Sequence, residues 1–307
     1  MLRTLFVRTV GKLIGWPIRR RLWAFHRNCD HPQVVQEQLL RRIVALQADT
    51  QLGRDHGFSG IRSIADFRRQ MPIAPYEYVQ PYIERVKKGD TNALLADNAV
   101  HMFALTSGTT SSRKFIPVTS RYLHEYRRGW NLWGLKAMRD HRDVTLRPIL
   151  QLVGDPEEFR TEAGIPCGSI SGFTAQVQWR IIRRLYCVPA CTGRIKDATA
   201  RAYVALLFAL PRNVGMVLAA NPSSLVMLAR IADQHKESLI RDIADGTLQR
   251  DLDIAPAIRA ELKLRWKRRP SRARQFEEII RRTGALDRKS TRLNSSHIQK
   301  SRMPSSA

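Results

Sequence analysis

Hydrophobic positions recur at helical spacing along most of the chain and concentrate at strand-like density in only a few short stretches. Residues 1–46 predict two helices, broken around Asn28–Pro32. The second carries a broad apolar face that includes Val35, Leu39, Leu40, Ile43 and Val44. Gln51–Gly60, with Gly53, Gly57 and Gly60, predicts a loop. Ser63, with Asp66 three residues on, reads as the start of a short helix. Pro72–Pro75 reads as extended, because residues before proline avoid the helical region. Tyr76–Lys88 predicts a helix stopped by Gly89 and Asp90, and Asn98–Leu105 a strand. The polar loop Thr106–Lys114 follows, then a strand over Phe115–Val118. A helix capped by Thr119 or Ser120 runs on to about Asp140. Pro148–Val153 and Asn213–Leu218 predict buried strands, and Gly154–Gly172 a loop. Helices are predicted over Phe173–Leu185, Lys196–Leu210 and from Asn221–Ser223 to Gly246.

Helices alternating with short buried strands define an α/β class, with layered helices on mixed or parallel sheets. No internal repeat is visible, and no apolar run approaches the roughly 20 residues of a membrane-spanning helix. Residues 1–27 mix apolar and cationic positions. They predict an amphipathic helix packed on the body, with association to a membrane surface as the alternative.

Composition then narrows the classes. The four cysteines in 307 residues (Cys29, Cys167, Cys187 and Cys191) make no disulfide framework, and predict a reduced, cytoplasmic setting. His26, Cys29 and His31, or Cys187 and Cys191, could hold part of a metal site. Neither set has the paired spacing of a structural zinc centre, so no metal ligand is expected. The net charge of +25 raises nucleic acid as a partner, and Lys263–Arg274 is its densest basic stretch. Arginine is nevertheless spread along the whole chain, often at helix-face spacing, as on solvated surfaces.

Part of that charge belongs to a segment of different character. Asp287–His297 back-translates, codon by codon, to a string that resembles a common short-read sequencing adapter. Ser301–Ala307 looks like the same adapter resumed after its index. We therefore expect 287–307 to be an artefactual, disordered tail, and the natural reading frame to continue differently after Leu286. The tail holds five Lys or Arg and one Asp, which leaves +21 on residues 1–286.

The stretch with most chemistry is Thr106-Ser107-Gly108-Thr109-Thr110-Ser111-Ser112-Arg113-Lys114. Phosphates require convergent hydroxyls, free backbone N–H groups and a cation, and these nine positions supply all three. Gly108 lets the backbone come close to a ligand. The spacing is not that of a Walker A loop, and a β-type segment follows rather than a helix. An ordinary hairpin turn has the same outward pattern.

Thr106–Lys114 resembles the first signature motif of the adenylate-forming superfamily, a [T/S]-S-G-[T/S]-[T/S]-G-x-x-K loop. Its continuation Phe115-Ile116-Pro117-Val118-Thr119 is similar to the I-P-x-T run of the GH3 acyl-acid amido synthetases. Met71–Glu77 with Pro81–Arg85, Gly168–Gly172, Asn221–Leu225 and Leu239–Leu248 also resemble blocks of that family, so the likeness covers roughly residues 33–286. Ser111 departs from the pattern, standing where the family has glycine. The family's second and third motifs do not occur before Leu286.

The resemblance implies an incomplete N-terminal adenylation domain over residues 1–286. In the parent enzyme, ATP with Mg2+ would convert a carboxylic acid to an acyl-adenylate, and an amino acid would take the acyl group. It implies that Thr106, Ser107, Gly108, Thr109, Thr110 and Lys114 hold the ATP phosphates, and that Phe173 and Val177 help shape an acyl pocket. It assigns no catalytic residue within this chain, no nucleic acid and no membrane span, and it predicts that this piece alone is inactive. The alternatives are another adenylate-forming ligase of the acyl-CoA type, or a basic nucleic-acid-binding protein.

Overall fold

A computed structural model describes residues 2–97, 99–106, 113–144, 147–284 and 286. Helices α1 (Leu2–Cys29) and α2 (Pro32–Gln47) meet at the expected break, where Pro32 occupies the first turn of α2. The stretch expected as a loop is instead α3 (Gln51–Asp55) followed by a single 3-10 turn at Phe58–Gly60. The buried Thr50 starts it: its hydroxyl accepts from Gly53 N–H at 3.0 Å and donates to Gln47 O at 2.7 Å. Helix α4 (Ile64–Gln70) begins as expected, with the Ser63 side chain accepting from Asp66 N–H and the Asp66 carboxylate accepting from Arg62 N–H.

Then come α5 (Tyr76–Lys87), β1 (Val100–Leu105), β2 (Phe115–Thr119), α6 (Ser120–Asp140) and β3 (Ile149–Gln151). The expected loop after β3 contains two short strands, β4 (Phe159–Arg160) and β5 (Pro166–Gly168). Where one helix was expected, the chain forms α7 (Ile170–Gln176) and α8 (Arg180–Arg183). It continues through α9 (Ala198–Ala209) and β6 (Met216–Leu218) to α10 (Ser223–Gln234) and α11 (Lys236–Asp245), then α12 (Pro256–Arg265) and α13 (Pro270–Thr283). The long helix expected after Asn221 is thus broken at His235. It ends at Gly246, whose φ of 76° is the left-handed conformation that terminates helices.

The chain divides into two compact units. The first comprises residues 1–142 and 157–168. Its sheet has the order β2-β1-β5-β4, with β1 antiparallel to β2, parallel to β5, and β5 antiparallel to β4. Phe103 and Cys167 from the sheet bury against Ile83 and Val86 of α5, while Val44, Phe58 and Ile61 form a second cluster under α2.

The second unit comprises residues 143–156 and those from 169 onward. Its two strands, β3 and β6, run parallel, pairing Ile149 with Met216 and Gln151 with Leu218. Helix α9 is apolar on nearly every side, and Ala200 and Ala202–Leu210 are all buried, as a central helix requires. Against it pack α10, α11 and α13 through Ile231, Leu239, Ile243 and Phe276.

Within this unit the block Leu239–Leu248 is a polar latch. The buried Asp242 carboxylate accepts from Tyr203 O–H at 2.8 Å, Thr247 O–H at 2.6 Å and Gln249 N–H at 2.8 Å, so the charge is satisfied from three sides. The block Gly168–Gly172 sits where backbones meet. Gly154 N–H donates to Ser171 Oγ at 3.2 Å. A Cβ at Gly172 would lie 2.2 Å from Gly154 O, and only glycine fits there.

Candidate functional site

The polar loop joins antiparallel neighbours. Leu105, the last residue of β1, pairs with Phe115, the first of β2. One step out, Thr106 N–H donates to Lys114 O at 3.3 Å and closes the base of the loop. Of the residues expected to hold phosphate, Thr106 and Lys114 are therefore brought together. Ser107, Gly108, Thr109 and Thr110 lie outside the described residues, as does Ser111. Thr119, at the far end of the motif, is buried. Its side chain accepts from Tyr122 N–H and caps α6, which is a structural task.

The two cations at the loop exit differ in their surroundings. Arg113 donates to Glu158 at 2.7 Å, across to the strand pair β4–β5. Lys114 has no carboxylate within ion-pair distance among the described residues. Its Nζ lies 5.6 Å from the centre of the Tyr76 ring instead. Of the two cations, Lys114 is thus the one with no carboxylate partner among the described residues, and an ammonium so placed suits an anionic ligand.

Sequence reasoning assigned no role to several residues around this exit. Tyr76, the first residue of α5, accepts from Phe115 N–H at 2.8 Å and returns its own O–H to Phe115 O at 3.4 Å. Burial pushes the Tyr76 phenol up from its ordinary value, so it keeps the proton that it donates. Lys87 places Nζ 4.2 Å above the Phe115 ring while pairing with Glu84 at 2.8 Å. Phe115 also meets Phe103 and Phe159 edge-on, at 6.0 and 6.2 Å between ring centres. The one signal in the sequence was that Tyr76 falls inside the block Met71–Glu77.

Other candidates are differently placed. Phe173 is partly buried in α7 and Val177 caps that helix, both in the second unit. A groove of about 500 Å³ lies between α11 and α13, lined by Glu237, Arg241, Asp245, Glu277 and Arg281 with Ile240, Ala244 and Ile280. Its charges are of both signs and its floor is aliphatic, which selects no particular ligand. Cys187 and Cys191 belong to different apolar clusters, and burial pushes each thiol up to about 11. Among the described residues no three of His, Cys, Asp and Glu converge on one point, and no helix is long and apolar enough to cross a membrane.

Fold and loop together define a mixed α/β protein that presents a hydroxyl-rich, lysine-terminated loop between antiparallel strands. A sequence model described as the GH3 family N-terminal domain matches residues 21–293, and the chain belongs to the GH3 family. It is similar to a jasmonoyl–L-amino acid synthetase of Nicotiana attenuata, 24% identical over 235 residues, which are 73% of this chain and 40% of that protein. It is likewise 25% identical over 285 residues to an indole-3-acetic acid-amido synthetase of Arabidopsis thaliana, covering 87% of this chain and 46% of the other. A solved acyl acid amido synthetase superposes on 85% of this chain and 46% of its own with a TM-score of 0.69, at 19% identity, which establishes a shared fold. The chain thus spans less than half the length of each of these relatives.

Proposed function

We propose that residues 1–286 are the first part of the adenylation domain of an ATP-dependent acyl-acid amido synthetase, and that Thr106–Lys114 holds the phosphates of its ATP. The observation that carries this reading is the contrast between Arg113, paired with Glu158, and Lys114, which lies over the Tyr76 ring and has no carboxylate partner among the described residues. The relatives' names supply the reaction class: their acids are jasmonic and indole-3-acetic acid, and one is named for an L-amino acid as the acceptor. The residues present fit the phosphate end of a nucleotide. They do not assemble a set of Mg2+ ligands among those described, so no residue of this chain is assigned to that ion.

In the reaction, ATP supplies the activated phosphorus that a carboxylate attacks. This chain's share is positioning and charge neutralisation: Lys114 with the hydroxyls and N–H groups of Thr106–Thr110 holds the pyrophosphate end, which leaves with two negative charges or more. Acyl-CoA-type chemistry is disfavoured by the family match. A nucleic-acid partner is disfavoured by the course of Lys263–Arg274. That stretch is divided between α12 and α13, buries Ala273, and directs Trp266 Nε1 to Asp242 O at 3.3 Å. Nothing in the reading calls for a membrane span, and a cytoplasmic setting suits its soluble substrates.

The test uses the reading frame recovered from source DNA beyond Leu286. In the protein so extended, exchange of pyrophosphate into ATP should depend on an added carboxylic acid. Lys114→Ala should lower kcat/KM for ATP by about tenfold to a hundredfold, the worth of one charge-assisted contact. Exchange unchanged by that substitution, or no exchange with any of a broad panel of acids, overturns the proposal.

A further inference from the structure

Among the described residues strand β2 is an edge of its sheet, since the order is β2-β1-β5-β4. An edge residue turns either its backbone groups or those of its neighbours outward, where no strand satisfies them. At the loop base Lys114 O accepts from Thr106 N–H, so Lys114 faces the partner strand. The next residue, Phe115, faces out. Both of its outward groups go to one side-chain oxygen: Phe115 N–H donates to Tyr76 Oη at 2.8 Å, and the Tyr76 hydroxyl donates back to Phe115 O at 3.4 Å. Tyr76 thus completes the ladder on the open side of β2, from a helix 39 positions earlier in the chain.

The placement has a consequence for register. A slip of one residue in β2 would reverse which side of the strand Lys114 occupies. The Leu105–Phe115 pairing seen here leaves a nine-residue loop, Thr106–Lys114, and puts Lys114 at its closing position. Tyr76 bonds only to Phe115 in that register. The same side chain offers its ring face to Lys114 Nζ at 5.6 Å, which draws the ammonium to one side without neutralising it as a carboxylate would. Pro75, in extended conformation with ψ 174°, starts α5 at Tyr76, so the ring is fixed at the helix's first turn.

We infer that Tyr76 is a positioning residue for the phosphate loop, its hydroxyl locking the register of β2 and its ring setting the place of the Lys114 ammonium. This rests on the proposed phosphate-binding role of the loop. It adds that the block Met71–Glu77 serves that loop through Tyr76 and not through contact with substrate.

The experiment measures binding of inorganic pyrophosphate to the 307-residue chain by 31P NMR, with hydrogen exchange followed at the amides of Phe115 and Thr106. Four substitutions are compared: Lys114→Ala, Tyr76→Phe, Tyr76→Leu and Tyr82→Phe. Tyr82 is the control, because it lies on the same helix and gives its hydroxyl to Asp55 at 2.8 Å, away from β2. Lys114→Ala should weaken binding about tenfold or more, Tyr76→Phe about threefold to tenfold, and Tyr76→Leu more than Tyr76→Phe. Exchange at Phe115 should quicken at least about tenfold in both Tyr76 variants and stay unchanged in Tyr82→Phe.

Absence of binding by the unaltered chain, or binding untouched by Lys114→Ala, removes the phosphate reading and this inference with it. Loss on Lys114→Ala with normal binding in both Tyr76 variants overturns the inference alone. Equal weakening by Tyr76→Phe and Tyr82→Phe also overturns it, since general loosening of α5 would then explain both.

Discussion

Cys187 and Cys191 are four positions apart yet bury in separate clusters, one under α9 and α10 and the other against Ile195 and Leu262. Burial penalises the thiolate and raises both thiols from 9.0 to about 11. The nearby Glu261 adds to the effect at Cys191, and Cys167 is raised for the same reason. Only Cys29 is exposed. At pH 8 the native chain should therefore incorporate one equivalent of iodoacetamide, mapped to Cys29, and four after unfolding. Between about pH 9 and 11 the unfolded chain releases thiol protons that the folded chain retains. The stabilisation is complete below about 9 and is lost as pH rises towards 11. The urea midpoint should fall across that window, and fall less in the Cys187→Ala, Cys191→Ala double variant. A midpoint insensitive to the double substitution would contradict this. Thr106 and Lys114 stood out in the sequence by their types and spacing, and the structure pairs them at the base of the loop. Tyr76 did not, because its partner is a backbone group in a distant strand, and no periodicity encodes such a bond.

The longer helices were the most readable elements, while β3 and β6, three residues each, were read from the apolar runs that contain them. Helices α2, α5 and α6 show several turns of apolar periodicity, α9 is one long apolar run, and all four were placed to within a few residues. Strands β4 and β5 have two and three residues, too few for alternation, so they were read as loop. Helix α3 was missed for another reason. Its glycine, Gly53, reads as a breaker, yet it is required there because a Cβ would stand 2.0 Å from Gln47 O. Thr50, which holds that close turn with two bonds, offers no apolar signal. Thr50→Ala should cost about 1–2 kcal/mol by loss of the cap. Gly53→Ala should cost more, since backbone must move. Both are read as shifts of the urea midpoint, and Gly53→Ala proving the milder would show that the turn relaxes more easily than its geometry allows.

At the scale of the molecule, the division into units was not legible, because the first unit takes its last two strands from residues 157–168, after the chain has already entered the second. The parallel pairing of β1 with β5, Phe103 with Cys167 and Ala104 with Gly168, reveals it. The same scale decides what the chain can do alone. Adenylyl transfer requires the phosphates, the metal, the base and the sugar of the nucleotide to be held at once, since most of its rate comes from positioning. In this chain one loop is proposed to hold phosphate, and among the described residues no three of His, Cys, Asp and Glu converge on one point. Each contact missing from a site of that kind lowers the rate about tenfold to a thousandfold. The 307-residue chain should accordingly show no acid-dependent exchange of pyrophosphate into ATP above the level of its Lys114→Ala variant, while still binding pyrophosphate weakly. Exchange that requires both an added acid and Lys114 would show that a complete adenylation site fits within these residues, and would move the missing contacts into the loop itself.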